Sequence, residues 1–257
     1  AVVGGRSVGV PGTPALLKAT HERWGRADWS GLFEDAIRLA EDGFTVSPRL
    51  ATLVAADAMR LARFAATRDY FFPGGELLEV GQTLKNPAYA KSLRTLAREG
   101  PAPFYTGEIA RDIVQTVRGA PGNPGVLSEA DLAIYQVRER APVCAPYRGY
   151  EVCGMGPPSS GALTVGQILG LLAPFDLAEM GPDSPEAWRL IGDASRLAFA
   201  DRGRYMADSD FVPVPVEGLI EPAYLNERAE RLRSDSALAR VEPGEPEHDH
   251  ALNWADG

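Results

Sequence analysis

The chain has 257 residues, with 26 Lys and Arg against 35 Asp and Glu, a formal charge of −9 at pH 7. That acidic balance, with no run of Lys and Arg to offset it, repels phosphate backbones and argues against a nucleic-acid partner. Apolar residues make up 45% and charged residues 24%, the composition of a chain that buries a core. No stretch approaches the roughly 18 apolar residues of a membrane span, and the N-terminus lacks a signal-peptide layout.

In chain order, Ser7 to Val10 reads as a first strand. Thr13-Pro14 supplies a cap and a first-turn proline for a helix over 14–24, stopped by Gly25. Ser30 begins a second helix that ends at Gly43. Ser47-Pro48 begins a third, carrying Leu50, Leu53, Val54, Leu61 and Phe64 on its apolar stripe. Asn86-Pro87 opens a helix that Gly100 closes, and Ser128 with Asp131 forms a short capping box. Residues 142–155 alternate around a turn at Arg148-Gly149 and read as a hairpin. An apolar helix follows the segment Gly156 to Ala162, and Ser184-Pro185 opens a long helix through Trp188, Ile191, Ala194, Leu197 and Ala198. Phe211 to Val214 is a last strand candidate. No Ser/Gly linker divides the chain, so residues 1–257 read as part of one domain. Residues 241–257, charged and without apolar periodicity, read as a loose tail. So few strands make a poor sheet alone, which points to partner strands outside this chain.

A two-residue hairpin loop pairs Cys144 with Cys153 at a non-hydrogen-bonded site. There Cα atoms lie roughly 4.5 Å apart, inside the disulfide range of about 4.4–6.8 Å. Two readings stay open, a cross-strand disulfide and two reduced, half-buried thiols.

The usual chemistry-bearing motifs are missing: no Gly-x-Ser-x-Gly elbow, no Gly-rich phosphate loop, no His-Glu-x-x-His. His21 reads as structural. His248-Asp249-His250 has metal-ligating side chains but no third ligand at a recognisable spacing, so no metal site is assigned. Ser159, Ser160 and Gly161 gather hydroxyls and free N–H groups at a helix start. The segment is either an anion-binding turn near a substrate or a rigid strand-to-helix turn with a serine cap. Asp201 and Arg202 continue an apolar helical stripe, so at least one points inward and needs a partner. An Asp201–Arg202 structural pair is the main reading, a catalytic carboxylate the other.

Several segments in order carry a resemblance: Ser7-Val8-Gly9-Val10-Pro11-Gly12; Ala36 to Phe44; Gly100-Pro101 with Phe104-Tyr105-Thr106-Gly107; Leu127 to Tyr135; Tyr147-Arg148-Gly149-Tyr150; Pro157-Pro158-Ser159-Ser160-Gly161; and Phe199-Ala200-Asp201-Arg202 through Asp210-Phe211-Val212. Together they resemble the large subunit of the γ-glutamyltranspeptidase family across nearly the whole chain.

The resemblance implies an α+β N-terminal nucleophile hydrolase, an αββα sandwich made as a precursor that cuts itself in two. This chain supplies a mostly helical part with few strands, completed by another segment. A threonine at the new N-terminus of the small subunit is then nucleophile and, through its own amine, general base, with no cofactor. The implied partners are that small subunit, an N-terminal segment with an arginine that grips the substrate α-carboxylate, and a small γ-glutamyl or acyl-amide substrate. No catalytic residue falls in this chain. Gly257 is expected to be the end left by self-cleavage. Ala162 stands where the family pattern has a second glycine, and its methyl group restricts the turn, leaving transfer to an acceptor open. The same scaffold serves γ-glutamyl transfer or hydrolysis, glutaryl and cephalosporin acylases and small-amide hydrolases. A catalytically inactive helical scaffold is the rival of another class.

Overall fold

The computed structural model describes residues 2–247. They fall into two compact units that divide between Arg138 and Glu139.

The first unit is helical, and local punctuation sets most of its helices. Ser47 accepts a hydrogen bond from Leu50 N (3.2 Å) at the start of Pro48–Ala56. Asn86 accepts one from Tyr89 N (3.0 Å) at the start of Pro87–Glu99. Ser128 and Asp131 form the full reciprocal box ahead of Glu129–Ala133. Each cap satisfies N–H groups that the first turn leaves without partners.

Two expectations here fail. The first helix starts one residue early, Thr13–Trp24, with Gly12 in the cap position and no side-chain cap. The segment from Ser7 to Val10 is not a strand: Gly5–Ser7 is a 3₁₀ turn and Val8 to Val10 has no ladder. That segment is held instead by Tyr105, whose hydroxyl donates to Pro11 O (2.8 Å), with Val10 packed beside Tyr105 and Leu132.

The third helix stops at Ala56 and a separate turn, Ala58–Leu61, carries Leu61 onward to the cluster of Val46, Val54, Leu78 and Leu84. A two-residue antiparallel ladder, Phe44–Thr45 with Thr83–Leu84, joins the loops of this unit. Three of the resemblance segments meet around Tyr105. Its ring stacks on Tyr135 (centroids 5.6 Å apart), and a Cβ on Gly12 would overlap the Tyr135 hydroxyl. These segments therefore pack on one another within this unit.

The second unit holds the hairpin, Pro142–Tyr147 paired with Tyr150–Met155. Its loop residues Arg148 and Gly149 both have positive φ (48° and 83°), the geometry of a two-residue turn matched to strand twist. The register pairs Cys144 with Cys153, and the two are joined as a disulfide with Cα atoms 4.0 Å apart. The reduced-thiol reading is thereby corrected.

Helix Gly161–Leu172 packs on the hairpin and on helix Pro222–Ala229. The approach depends on missing side chains: a Cβ on Gly166 would lie 2.9 Å from Ala145 Cβ, and one on Gly170 2.4 Å from Leu225 Cδ1. The long helix, Pro185–Tyr205, is capped by Ser184 and buries Leu190, Ala194, Leu197 and Ala198. Trp188 does not share that stripe. It is exposed and its indole N–H donates to Pro182 O (2.8 Å). Leu163, Leu171, Leu190, Leu197, Leu219 and Leu232 form the core between these helices, each fully buried leucine contributing roughly 1.5–3 kcal/mol.

The strand expected over Phe211 to Val214 is also absent. Phe211 N and Val212 N both donate to Asp208 O, which makes a turn, and Phe211 is exposed.

The tail reading is corrected for its described part. Glu242 O accepts from Arg228, both backbone groups of Gly244 are bonded, and Pro246 is buried. Alternation of inward backbone groups, invisible to a search for apolar periodicity, holds this strap down. His248, His250 and Gly257 lie outside the described residues.

Candidate functional site: a buried carboxylate cradle beside a serine turn

Strand Tyr150–Met155 runs out into Gly156, and the chain then turns through a cis Pro157-Pro158 bond into helix Gly161–Leu172. A Cβ on Gly156 would meet Val143 Cγ2 at 2.7 Å, so the turn sits hard against the first hairpin strand. Ser159 N donates to Gly156 O (3.0 Å) and closes it. Ser160 occupies the cap position without capping. Its hydroxyl accepts from Arg202 Nε (2.9 Å) instead. The Ala162 methyl rests against Gly154 of the hairpin, where a Cβ on the glycine would lie 3.2 Å away. The side chain at 162 is thus accommodated because its neighbour has none.

Asp201 and Arg202 are not a pair. Arg202 is exposed, held by Ser160 and lying over the Phe199 ring (5.6 Å). Asp201, adjacent in sequence, is turned about 100° around the helix from it and is only 1% exposed. Its partner is Arg228, at 3.1 Å.

Three further donors complete the shell: Gln167 Nε2 (2.8 Å), the Tyr224 hydroxyl (2.7 Å) and Gly244 N (2.8 Å). A buried carboxylate surrounded by a guanidinium and three hydrogen-bond donors is satisfied as an anion. Arg228 is itself buried and also donates to Leu197 O and Glu242 O. Burial away from water, and then the bond to the Asp201 carboxylate, push the Tyr224 phenol well above the ordinary tyrosine range. The cradle therefore ties four segments together through one oxygen pair, and its form is structural. None of the cradle residues stands as a free nucleophile.

Sequence reasoning found the carboxylate and missed Gln167, Tyr205, Tyr224, Arg228 and Gly244. One signal was present, since Gln167 is the lone amide in the run Gly161 to Leu172, whose other residues are apolar except Thr164. Its partners come from distant segments and left no local trace.

Two more acidic groups of the Phe199–Val212 segment have partners: Asp210 pairs with Arg140 at 2.8 Å and Asp208 lies 3.9 Å from the same guanidinium. Among the described residues no catalytic triad or nucleophile–base pair accompanies them, and the candidate cation ligands that cluster are Cys144, Glu151 and Cys153, two of which form the disulfide.

A family model described as gamma-glutamyltranspeptidase matches residues 1–255. The chain is 37% identical over 236 residues to the acylase ACY 1 proenzyme of Pseudomonas sp. (strain SE83), covering 92% of this chain and 42% of that protein. It is 36% identical over 239 residues to the glutathione hydrolase proenzyme of Escherichia coli (strain K12), covering 92% and 41%. Among solved structures, the γ-glutamyltranspeptidase of Helicobacter pylori superposes with a TM-score of 0.89 at 33% identity, over 97% of this chain and 72% of that one. The chain spans about two fifths of the length of the curated relatives it matches. The helical units, the isolated hairpin and the strand-to-helix serine turn are thus the α+β N-terminal nucleophile hydrolase arrangement expected from the motifs, and the chain belongs to the γ-glutamyltranspeptidase family.

Proposed function

We propose that this chain is the large-subunit part of a self-processing γ-glutamyltranspeptidase-like amidohydrolase or acyltransferase. The observation that carries the reading is the family match over residues 1–255, together with relatives named as proenzymes of which the chain spans only 42%. The catalytic nucleophile then belongs to another segment, a threonine freed as an N-terminus, and this chain supplies scaffold and positioning.

In maturation, the hydroxyl of the residue after the scissile bond attacks the preceding carbonyl carbon. The C–N bond breaks, the hydroxyl proton passes to the leaving nitrogen, and an ester with a free amine results. Water then hydrolyses the ester to a carboxylate and restores the hydroxyl. The freed amine is the general base in turnover, where the hydroxyl attacks a γ-glutamyl amide and water or an acceptor amine resolves the acyl-enzyme.

An acylase acting on glutaryl or cephalosporin-type amides is the second reading, supported by an identity of 37% to the ACY 1 proenzyme that matches the 36% to the glutathione hydrolase proenzyme. The test is to mature the full-length protein and assay it with a γ-glutamyl anilide and with a glutaryl amide. Turnover of the first with little of the second supports the γ-glutamyl reading, and the reverse supports the acylase. A protein that stays uncut and turns over neither is the inactive scaffold.

A further inference from the structure

The Cys144–Cys153 bridge lies on the face of the hairpin turned away from helix Gly161–Leu172. Side chains alternate along each strand, and the helix side takes Val143, Ala145 and Gly154. A Cβ on Gly166 would lie 2.9 Å from Ala145 Cβ, and one on Gly154 3.2 Å from the Ala162 methyl. Cys144 and Cys153, paired one position along, therefore point to the other side, where Cys144 is half-buried and Cys153 exposed. The rung next to the bridge, away from the Arg148-Gly149 turn, pairs Val143 with Gly154. Both contacts that seat the serine turn come from that rung, Val143 against Gly156 and Gly154 against Ala162. A crosslink open to solvent thus sits one rung from the support of the serine turn.

We propose that Cys144–Cys153 is a reversible thiol–disulfide exchange site for dithiols, and that its reduction loosens the serine turn over residues 156–161. A thiolate of the dithiol attacks Sγ of Cys153, the more exposed cysteine, the S–S bond breaks, and Cys144 leaves as a thiolate that takes up a proton. The second thiolate of the dithiol then attacks its own partner sulfur in the mixed disulfide and expels Cys153 in the same way. The protein gains two electrons and two protons, and the dithiol departs as a cyclic disulfide. The structural consequence follows from how little else holds the open end of the hairpin. Among the described residues its two strands pair only with each other, and a lone two-stranded ladder is marginally stable in water. Without the crosslink the open end frays, the Val143–Gly154 rung parts, and residues 156–161 lose their seat. Helix Pro185–Tyr205 is held by its own buried stripe of Leu190, Ala194 and Leu197 and keeps its place.

The experiment holds the folded full-length protein with and without dithiothreitol and locates the cysteines that react with an alkylating reagent by mass spectrometry. Amide hydrogen exchange is followed over residues 156–163, with helix Pro185–Tyr205 as the internal reference. The expected result is that dithiothreitol exposes both thiols without unfolding the protein and that exchange over 156–163 rises about tenfold or more while the reference helix is unchanged. Oxidised dithiothreitol should restore the slow rate. The double variant Cys144→Ser, Cys153→Ser should exchange at the fast rate in either buffer. If that variant does not fold, the wild type with and without reductant decides alone. Exchange over 156–163 that is the same in both states, or that rises equally in the reference helix, makes the bridge a staple of the hairpin only and overturns the inference. So does a bridge that dithiothreitol opens only on unfolding, or a protein whose two thiols oxidised dithiothreitol cannot join.

Discussion

Asp201 and Arg228, brought together from two helices, form a buried ion pair at 3.1 Å, while Arg202, the chain neighbour of Asp201, faces solvent and binds Ser160. The two arginines therefore differ sharply in what their loss costs. Arg228→Met removes the countercharge of a carboxylate that is 1% exposed, and about 3–5 kcal/mol of stability should go with it. Arg202→Ala removes an exposed contact, and the change should stay within about 1 kcal/mol. Denaturant unfolding of the full-length protein checks both. An Arg202 variant as damaged as the Arg228 variant would contradict the pairing.

Tyr224 gives the cradle a pH signature. Its phenol pKa is raised in the folded state, chiefly by burial and next by the Asp201 carboxylate it donates to. A raised folded value means that the native state holds the proton more tightly than the unfolded one. The stability involved is therefore complete below the unfolded tyrosine pKa of about 10 and is lost as pH climbs above it. Unfolding free energies measured between pH 8 and pH 11 should fall beyond about pH 10. Tyr224→Phe should be less stable at pH 8, having taken a donor from Asp201, and should show a shallower alkaline decline. An identical alkaline slope in the variant would rule out Tyr224 as its source.

Glycines of the second unit separate into those that make room and those that do not. Gly170 has Leu225 Cδ1 2.4 Å from where a Cβ would stand, whereas Gly192, within the long helix, has nothing within 4 Å. Gly170→Ala should destabilise by about 1–3 kcal/mol through overpacking, and Gly192→Ala should stabilise by about 0.5–1 kcal/mol through helix propensity. Thermal midpoints moving in opposite directions are the expected result.

The Cys144–Cys153 bridge closes a short loop, with a sequence separation of 9, and a loop of that size limits the unfolded chain by about 2–3 kcal/mol. The double variant Cys144→Ser, Cys153→Ser should lose stability of that order while keeping the hairpin register, which the two-residue turn fixes independently. Alkylation of the denatured, unreduced wild type should label neither cysteine. Labelling of both would show the pair to be reduced.

Features that depend on neighbouring residues were legible. Ser47, Asn86, Ser128 and Ser184 all cap where their sequence context placed them, because an N-cap bond reaches only two or three residues along the chain. The hairpin register followed from its turn. What failed was whatever tertiary contact decides. Val8 to Val10 and Phe211 to Val214 are apolar enough for strands, but one is held by a tyrosine far along the chain and the other is a turn on Asp208. At the cradle the need for a partner to Asp201 was readable from its place on an apolar stripe. Its identity was not, since Arg228, Tyr224 and Gly244 reach it only after three further segments have packed. Residues 241–247 looked loose because backbone groups rather than apolar side chains hold most of them.

The most direct test of the large-subunit reading is intact-mass and N-terminal analysis of the full-length protein after incubation. The result predicted is two fragments, the smaller beginning with Thr, with Ser or Cys as chemically equivalent starts. A protein that remains one uncut chain, or a smaller fragment that begins with a residue lacking a side-chain nucleophile, would contradict it.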